Sequence, residues 1–490
     1  MQMRIDTQRL ELLTFPCAGI LVGILAAQNP SITAAVGAGA ALMTGALVAI
    51  PRLGIMPALI WSYFFLSLVD PSKSLRYVLG LGLPEIPFVG LFLPAILGLL
   101  SILLMVGAGR VLWTSFHEPR LTLHTGTCIV LLLSLTLYGL ANAVLRDRSL
   151  ILASSNATYL LGYLLFFPFS MAIRDWRSWR RLSHGFLVAI AALCLEIAII
   201  WLWFAGWGSL PRIYLRGGIF FQVGAIISLS VTCARGEGIT TRVRLCFWAL
   251  GIASFVGLML SNTRGYYLGF YVSVFVLLFL TSNRERVRFL KASMAVLTGA
   301  FLLGMALTDM QVGRYLIGQW DTEQFNISLD VRKEQLPLLL SRFRQAPISG
   351  MGLGAAADEA EEDLVEATSI PLESSNELSA LVESFTKNMR RPYVYELDHI
   401  VLLMQFGVVG FLGWLWVWGL IVVEGVKATR LMAHNYHRAL LRGAVAGFVG
   451  CLVAAATNPY ITSALTTSFV GLLLALTNSA ALFMRRDQEA

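Results

Sequence analysis

Residues 397–425 read LDHIVLLMQFGVVGFLGWLWVWGLIVVEG. Between His399 and Glu424 no residue carries a formal charge, and the only side-chain amide belongs to Gln405. A bilayer's hydrocarbon core is about 30 Å thick and a helix rises about 1.5 Å per residue, so about 20 such residues cross it. This stretch is long enough. Working outward in both directions, further candidate spans fall near 11–28, 31–50, 54–69, 88–108, 121–141, 157–173, 183–205, 217–234, 244–261, 264–280, 289–307, 440–457 and 460–483, about 14 in all.

Composition agrees. Of the 490 residues, 57% are hydrophobic and only 13% charged, with a mean hydropathy of +0.71. A soluble chain carries about 25% charged residues, so this one cannot clothe a water-facing surface. A soluble enzyme, a disordered chain and a small disulfide scaffold are excluded. The fold class predicted is an all-α polytopic membrane protein.

Lys and Arg gather on the cytoplasmic side of short loops. With both termini placed inside, cytoplasmic segments hold 22 of the 37 Lys and Arg, including Arg174, Arg177, Arg180, Arg181, Arg284, Arg286, Arg288 and Lys291. Residues 1–28 combine a basic start with a long apolar run that no A-x-A site closes, and are read as an uncleaved first span. Residues 1–307 then carry eleven spans, 308–396 one long external loop, and 397–490 the last three spans. From Asp309 to Asp398 the loop holds 16 acidic against eight basic residues. The net charge of +8 is therefore a property of the cytoplasmic face, suited to anionic headgroups, and no base-reading module for nucleic acid is present.

Within the loop, Leu329, Leu336, Leu339, Leu340 and Phe343 recur at helical spacing, as do Leu378, Leu381, Val382 and Phe385. Both predict amphipathic helices over the membrane domain, separated by the solvated acidic run 358–366. All six cysteines lie in or beside spans, without a C-x-x-C. His434 and His437 have ligand spacing, with Glu424 as the nearby carboxylate, but headgroup contact is the stronger reading. Metal and cofactor are expected to be none: D-x-D, P-loop and H-E-x-x-H patterns are all missing. Glu196 is the one carboxylate deep in a span.

Candidate chemistry lies on the external side. His399 is the single external histidine, with Asp398 beside it as orienter, and an imidazole there fits a general base near neutral pH. Arg216 and Arg212 precede the span at 217–234, Arg264 stands at the turn between two spans, and Arg332 lies on the first loop helix. Arginine near hydrocarbon is costly, and its planar fork matches phosphate oxygens. Several such groups at a membrane mouth suit a diphosphate-linked lipid, holding it and stabilising it as a leaving group in place of a metal.

Four segments together resemble the superfamily of O-antigen ligases and Wzy-type polysaccharide polymerases: Arg216-Gly-Gly-Ile-Phe-Phe-Gln, Ser261-Asn-Thr-Arg264-Gly, Arg332 with Ala346-Pro-Ile-Ser-Gly-Met-Gly-Leu-Gly354, and His399 with Gln405-Phe-Gly-Val-Val-Gly410. The resemblance covers roughly residues 210–415. Ile400 stands where the family usually has Asn, and Gln405 near its usual Glu. The resemblance implies a GT-C-like inner-membrane glycosyltransferase of bacteria. It would transfer glycan from an undecaprenyl-diphosphate donor to an acceptor hydroxyl, with inversion and without metal. Arg216, Arg264, Arg332 and Arg212 would bind the diphosphate, His399 would serve the acceptor, and the loop would be periplasmic. The partners implied are the glycan donor, the glycan acceptor, the lipid bilayer and, for a polymerase, a chain-length regulator. Polymerase and ligase stay open as alternatives, and a lipid-linked glycan flippase is the rival from another class.

Overall fold

A computed structural model describes residues 60–61, 63, 121–148, 153, 156–157, 160–205, 217–236, 238–261, 263–291, 322–355, 397–457 and 463–489. Among them every regular element is helical. The helices are α1 (Leu123–Leu145), a 3-10 turn Leu161–Leu165 running into α2 (Phe166–Ala172), α3 (Trp176–Ala205), α4 (Ile219–Cys233), α5 (Thr241–Ser261) and α6 (Arg264–Leu280). They continue with α7 (283–291), α8 (Thr322–Gln345), α9 (Asp398–Leu431), α10 (Asn435–Ala454) and α11 (Ala464–Glu489). Nine of the expected spans overlap these helices, the one over 397–425 with a break described below. The expected spans near 11–28, 31–50, 54–69, 88–108 and 289–307 lie wholly or largely outside the described residues, as do the second loop helix and the acidic run.

Among the described residues, α1, α3, α5, α9, α10 and α11 are long and apolar enough to cross a membrane, and α2, α4 and α6 are shorter apolar helices. Their outer faces keep large apolar side chains uncovered: Leu137, Phe275, Phe279 and Trp416 are 60–65% exposed. Such a surface is stable against hydrocarbon, where lipid tails are as apolar as the side chains they meet.

Hydrocarbon supplies no hydrophobic drive between helices, so the bundle packs through small residues. Gly265, Gly269 and Ser273 form a buried stripe at four-residue spacing on α6. It lies against Gly450 and Ala454 of α10, where a Cβ on Gly269 would sit 3.1 Å from that of Ala454. α4 meets α10 in the same antiparallel sense, with Val223 against Gly447, Ile227 against Gly443, and Ser230 Oγ donating to the Ala439 carbonyl at 2.7 Å. One end of α10 therefore carries the starts of α4 and α6.

The expected single span over 397–425 is corrected. Gly407, at φ 66° and ψ −175°, breaks α9 into residues 398–406 and 408–431. In a straight helix His399 and Trp418 would stand about 28 Å apart, yet their ring centroids are 5.7 Å apart, and Phe406 is 5.8 Å from Trp414. The first segment folds back along the second. Of the apolar positions expected on the first loop helix, Leu339 is fully buried, against Val401 and Met404, whereas Leu336 is 38% exposed.

Candidate functional site

Breaking a helix frees backbone groups that hydrocarbon cannot satisfy. Here the segment Ala346–Ala355 satisfies them. Met351 N donates to the Met404 carbonyl and Gly352 N to that of Gln405, both at 2.9 Å, while Val408 N donates to Pro347 at 2.8 Å. Loop and broken helix thus pair antiparallel across Gly407. Gly350, Gly352 and Gly407 all have positive φ, and a Cβ on any of them would strike backbone. Positive φ and close approach both call for glycine.

α1 clamps the other side of that loop. Leu353 N donates to the Gly139 carbonyl at 3.0 Å. The Ser349 carbonyl accepts from Asn142 Nδ2 at 2.6 Å and from Tyr138 at 3.0 Å, and Arg146 donates to Ser349 Oγ at 3.0 Å. Sequence reasoning did not single out Asn142 or Ser349. The trace that existed was a polar Asn just beyond an apolar run, which usually marks a buried partner.

The fold-back sets His399 on a platform of Trp418 and Phe411, the latter at 6.5 Å. The imidazole uses the Leu452 carbonyl of α10 as acceptor, and Nδ1 is buried with no hydrogen-bond partner among the described residues. Asp398 is buried but supplies no hydrogen bond to that Nδ1. Trp414, next along the aromatic ladder, likewise buries an Nε1 without a hydrogen-bond partner there.

Arg332 on α8 reaches the same end of α10: its guanidinium donates to the Thr457 carbonyl at 3.0 Å. Thr457 closes α10, its N–H and hydroxyl both donating to the Ala454 carbonyl at 3.2 Å. Arg264 is the first residue of α6, after Thr263, and is half-buried. Since Gly269 packs beside Ala454, Arg264 stands about 7.5 Å further along, at the level of the turn that ends in Thr457. Arg212 and Arg216 lie outside the described residues.

One end of α10 therefore meets His399 and the Arg332 guanidinium, and α6, which Arg264 opens, starts at the same end. It also receives the N-termini of α4 and α6, neither of which has a side-chain cap. A helix N-terminus favours negative charge and disfavours an arginine. An arginine placed there strengthens the preference for an anion at the expense of the helix.

His434 and His437 sit at the opposite end of α10, 5.5 Å apart, and Glu424 pairs instead with Lys427 at 3.0 Å and His124 at 3.6 Å. Among the described residues no three His, Cys, Asp or Glu side chains are grouped to hold a metal. In comparison with known proteins, the chain matches no family model and no curated protein.

Proposed function

We propose that the chain is a bacterial inner-membrane glycosyltransferase. In this reading it polymerises undecaprenyl-diphosphate-linked oligosaccharide repeats on the periplasmic face. The observation that carries the reading is the Arg332 guanidinium and the buried His399 imidazole at one end of α10, the end from which α4 and α6 also begin, with Arg264 as the first residue of α6. That combination serves an anionic leaving group and a hydroxyl nucleophile together.

In this reading Arg264 and Arg332 hold the donor diphosphate, with Arg216 and Arg212 as further ligands. The acceptor hydroxyl oxygen attacks the anomeric carbon as the bond to the diphosphate breaks. The leaving diphosphate keeps the electron pair, and fixed donors stabilise its charge in a water-poor setting. The hydroxyl proton passes to His399, whose Nδ1 is free of protein hydrogen bonds among the described residues. The Gly407 break with its glycine loop is the scaffold that sets the imidazole at this depth.

The test is to supply purified protein with lipid-linked repeats. Chain growth without added core lipid supports polymerisation. Transfer only to lipid A-core identifies a ligase, and lipid equilibration across vesicles without change in glycan length identifies a flippase.

A further inference from the structure

Phe411, Trp414 and Trp418 stand at i, i+3 and i+7 on the second half of α9, so one helical face carries all three rings. Trp414 and Trp418 are buried, whereas Trp416, on another face, is largely exposed. The inward face is the one that the folded-back segment covers. Phe406 meets Trp414 edge-on at 5.8 Å, and His399 meets Trp418 at 5.7 Å. Trp414 and Trp418 are themselves 6.1 Å apart, so the rings form a continuous ladder from Phe406 to His399.

An imidazole that takes a proton must be held at a fixed angle, and its new charge must be stabilised. In a catalytic triad a buried carboxylate does both. Here Asp398, the adjacent residue, gives no hydrogen bond to His399 Nδ1. The group against the ring is the Trp418 indole. The two planes are 32° apart, nearer parallel than edge-on, and Phe411 flanks the imidazole at 6.5 Å. A cation within about 6 Å of an indole centroid is attracted by the negative face of the ring, most strongly where water is excluded. Trp418 is only 6% exposed.

We propose that Trp418 is the positioning residue of His399, and that its indole face, in place of a carboxylate, stabilises the imidazolium formed during transfer. The inference rests on the reaction proposed above. In that step the acceptor O–H bond breaks and its proton joins imidazole Nδ1. The oxygen keeps the electron pair for its bond to the anomeric carbon, and the diphosphate leaves with the pair of the bond that breaks. The imidazole gains one positive charge. Its attraction to the indole is therefore stronger after proton transfer than before, and such a contact acts on turnover rather than on substrate binding. Trp418 works through the imidazole and needs no contact with donor or acceptor.

The experiment measures kcat and KM of the purified full chain with lipid-linked repeats as donor and acceptor. Trp418→Leu removes the π face, so kcat should fall about tenfold at unchanged KM. Trp418→Phe, which keeps an aromatic face, should recover much of that fall. Trp414→Leu removes a rung that is as deeply buried but has no ring contact with His399 among the described residues. It should lower the unfolding midpoint and leave kcat unchanged. Should Trp418→Leu fail to fold, Trp418→Phe against Trp414→Phe carries the same comparison, with a smaller fall expected in the first alone. Unchanged kcat in the Trp418 variants while His399→Ala is inactive overturns the inference by itself, as does an equal fall in the Trp414 variants. Full turnover in His399→Ala, or none in the wild type, overturns the proposed reaction and this inference with it.

Discussion

Gly350 and Gly407 pack backbone against backbone: a Cβ on Gly407 would lie 2.5 Å from the Gly350 amide nitrogen, and one on Gly350 would strike Gly407 in return. The loop and the break in α9 therefore exist only as a pair. Each supplies the hydrogen bonds that the other's irregular backbone lacks.

Gly407→Ala should be severe. At φ 66° and ψ −175° the backbone is in a region that is essentially glycine-only, costing roughly 1–3 kcal/mol for other residues, before any clash with Ile348 and Gly350. Gly419→Ala, with nothing within 4 Å of the added methyl, should instead be neutral or stabilising by about 0.5–1 kcal/mol. Thermal unfolding of the two variants in detergent compares them directly.

On the proposed polymerase reading, Arg264→Lys and Arg332→Lys should both abolish long polymer while leaving expression intact. A point charge cannot reproduce a two-pronged guanidinium on a diphosphate. His399→Ala should do the same. Polymer length in cells is the measurement, and full length in all three would refute the site.

Asn142→Leu keeps the side-chain volume but leaves the Ser349 carbonyl with Tyr138 alone. Losing a buried hydrogen bond of this kind costs about 1 kcal/mol. The loop 346–355 should become more open to limited proteolysis, at a lower unfolding midpoint than the wild type.

The pair between Glu285 and Arg442, at 2.9 Å, ties α7 to α10. Burial pushes the Glu285 carboxyl up, but hydrogen bonding and charge from Arg442, aided by Ser282, outweigh it and hold it below the ordinary glutamate value. A folded-state value below the unfolded one means the contribution is complete above the unfolded pKa, about 4.3. It is lost as pH falls through the folded one. Wild type should therefore lose stability faster than Glu285→Gln on acidification below about pH 5. Arg442→Met, which strands Glu285, should cost roughly 3 kcal/mol at neutral pH. Unfolding midpoints across pH measure both.

Much of the helical layout was legible locally. The apolar runs at 121–141, 183–205 and 244–261 each became a helix, and the tight turn before Arg264 became Thr263. Gly407 was not legible as a break, because one glycine inside an apolar run reads as continuous helix. Asn142 and Ser349 are separated by 207 positions, beyond any periodic pattern. The ring partners of His399 also depend on the fold-back, which carries Trp418 to it from 19 residues away.

By itself, the sequence determined that the chain is apolar and helical, and that arginines and a histidine punctuate the ends of its helices. Hydrophobic length and charge spacing are local quantities. Only the tertiary structure decided that α9 turns back at Gly407 and brings His399 to the Leu452 carbonyl. Backbone groups of Met404, Gln405, Val408 and Val409 around the break pair with residues 347–352, which are distant in sequence.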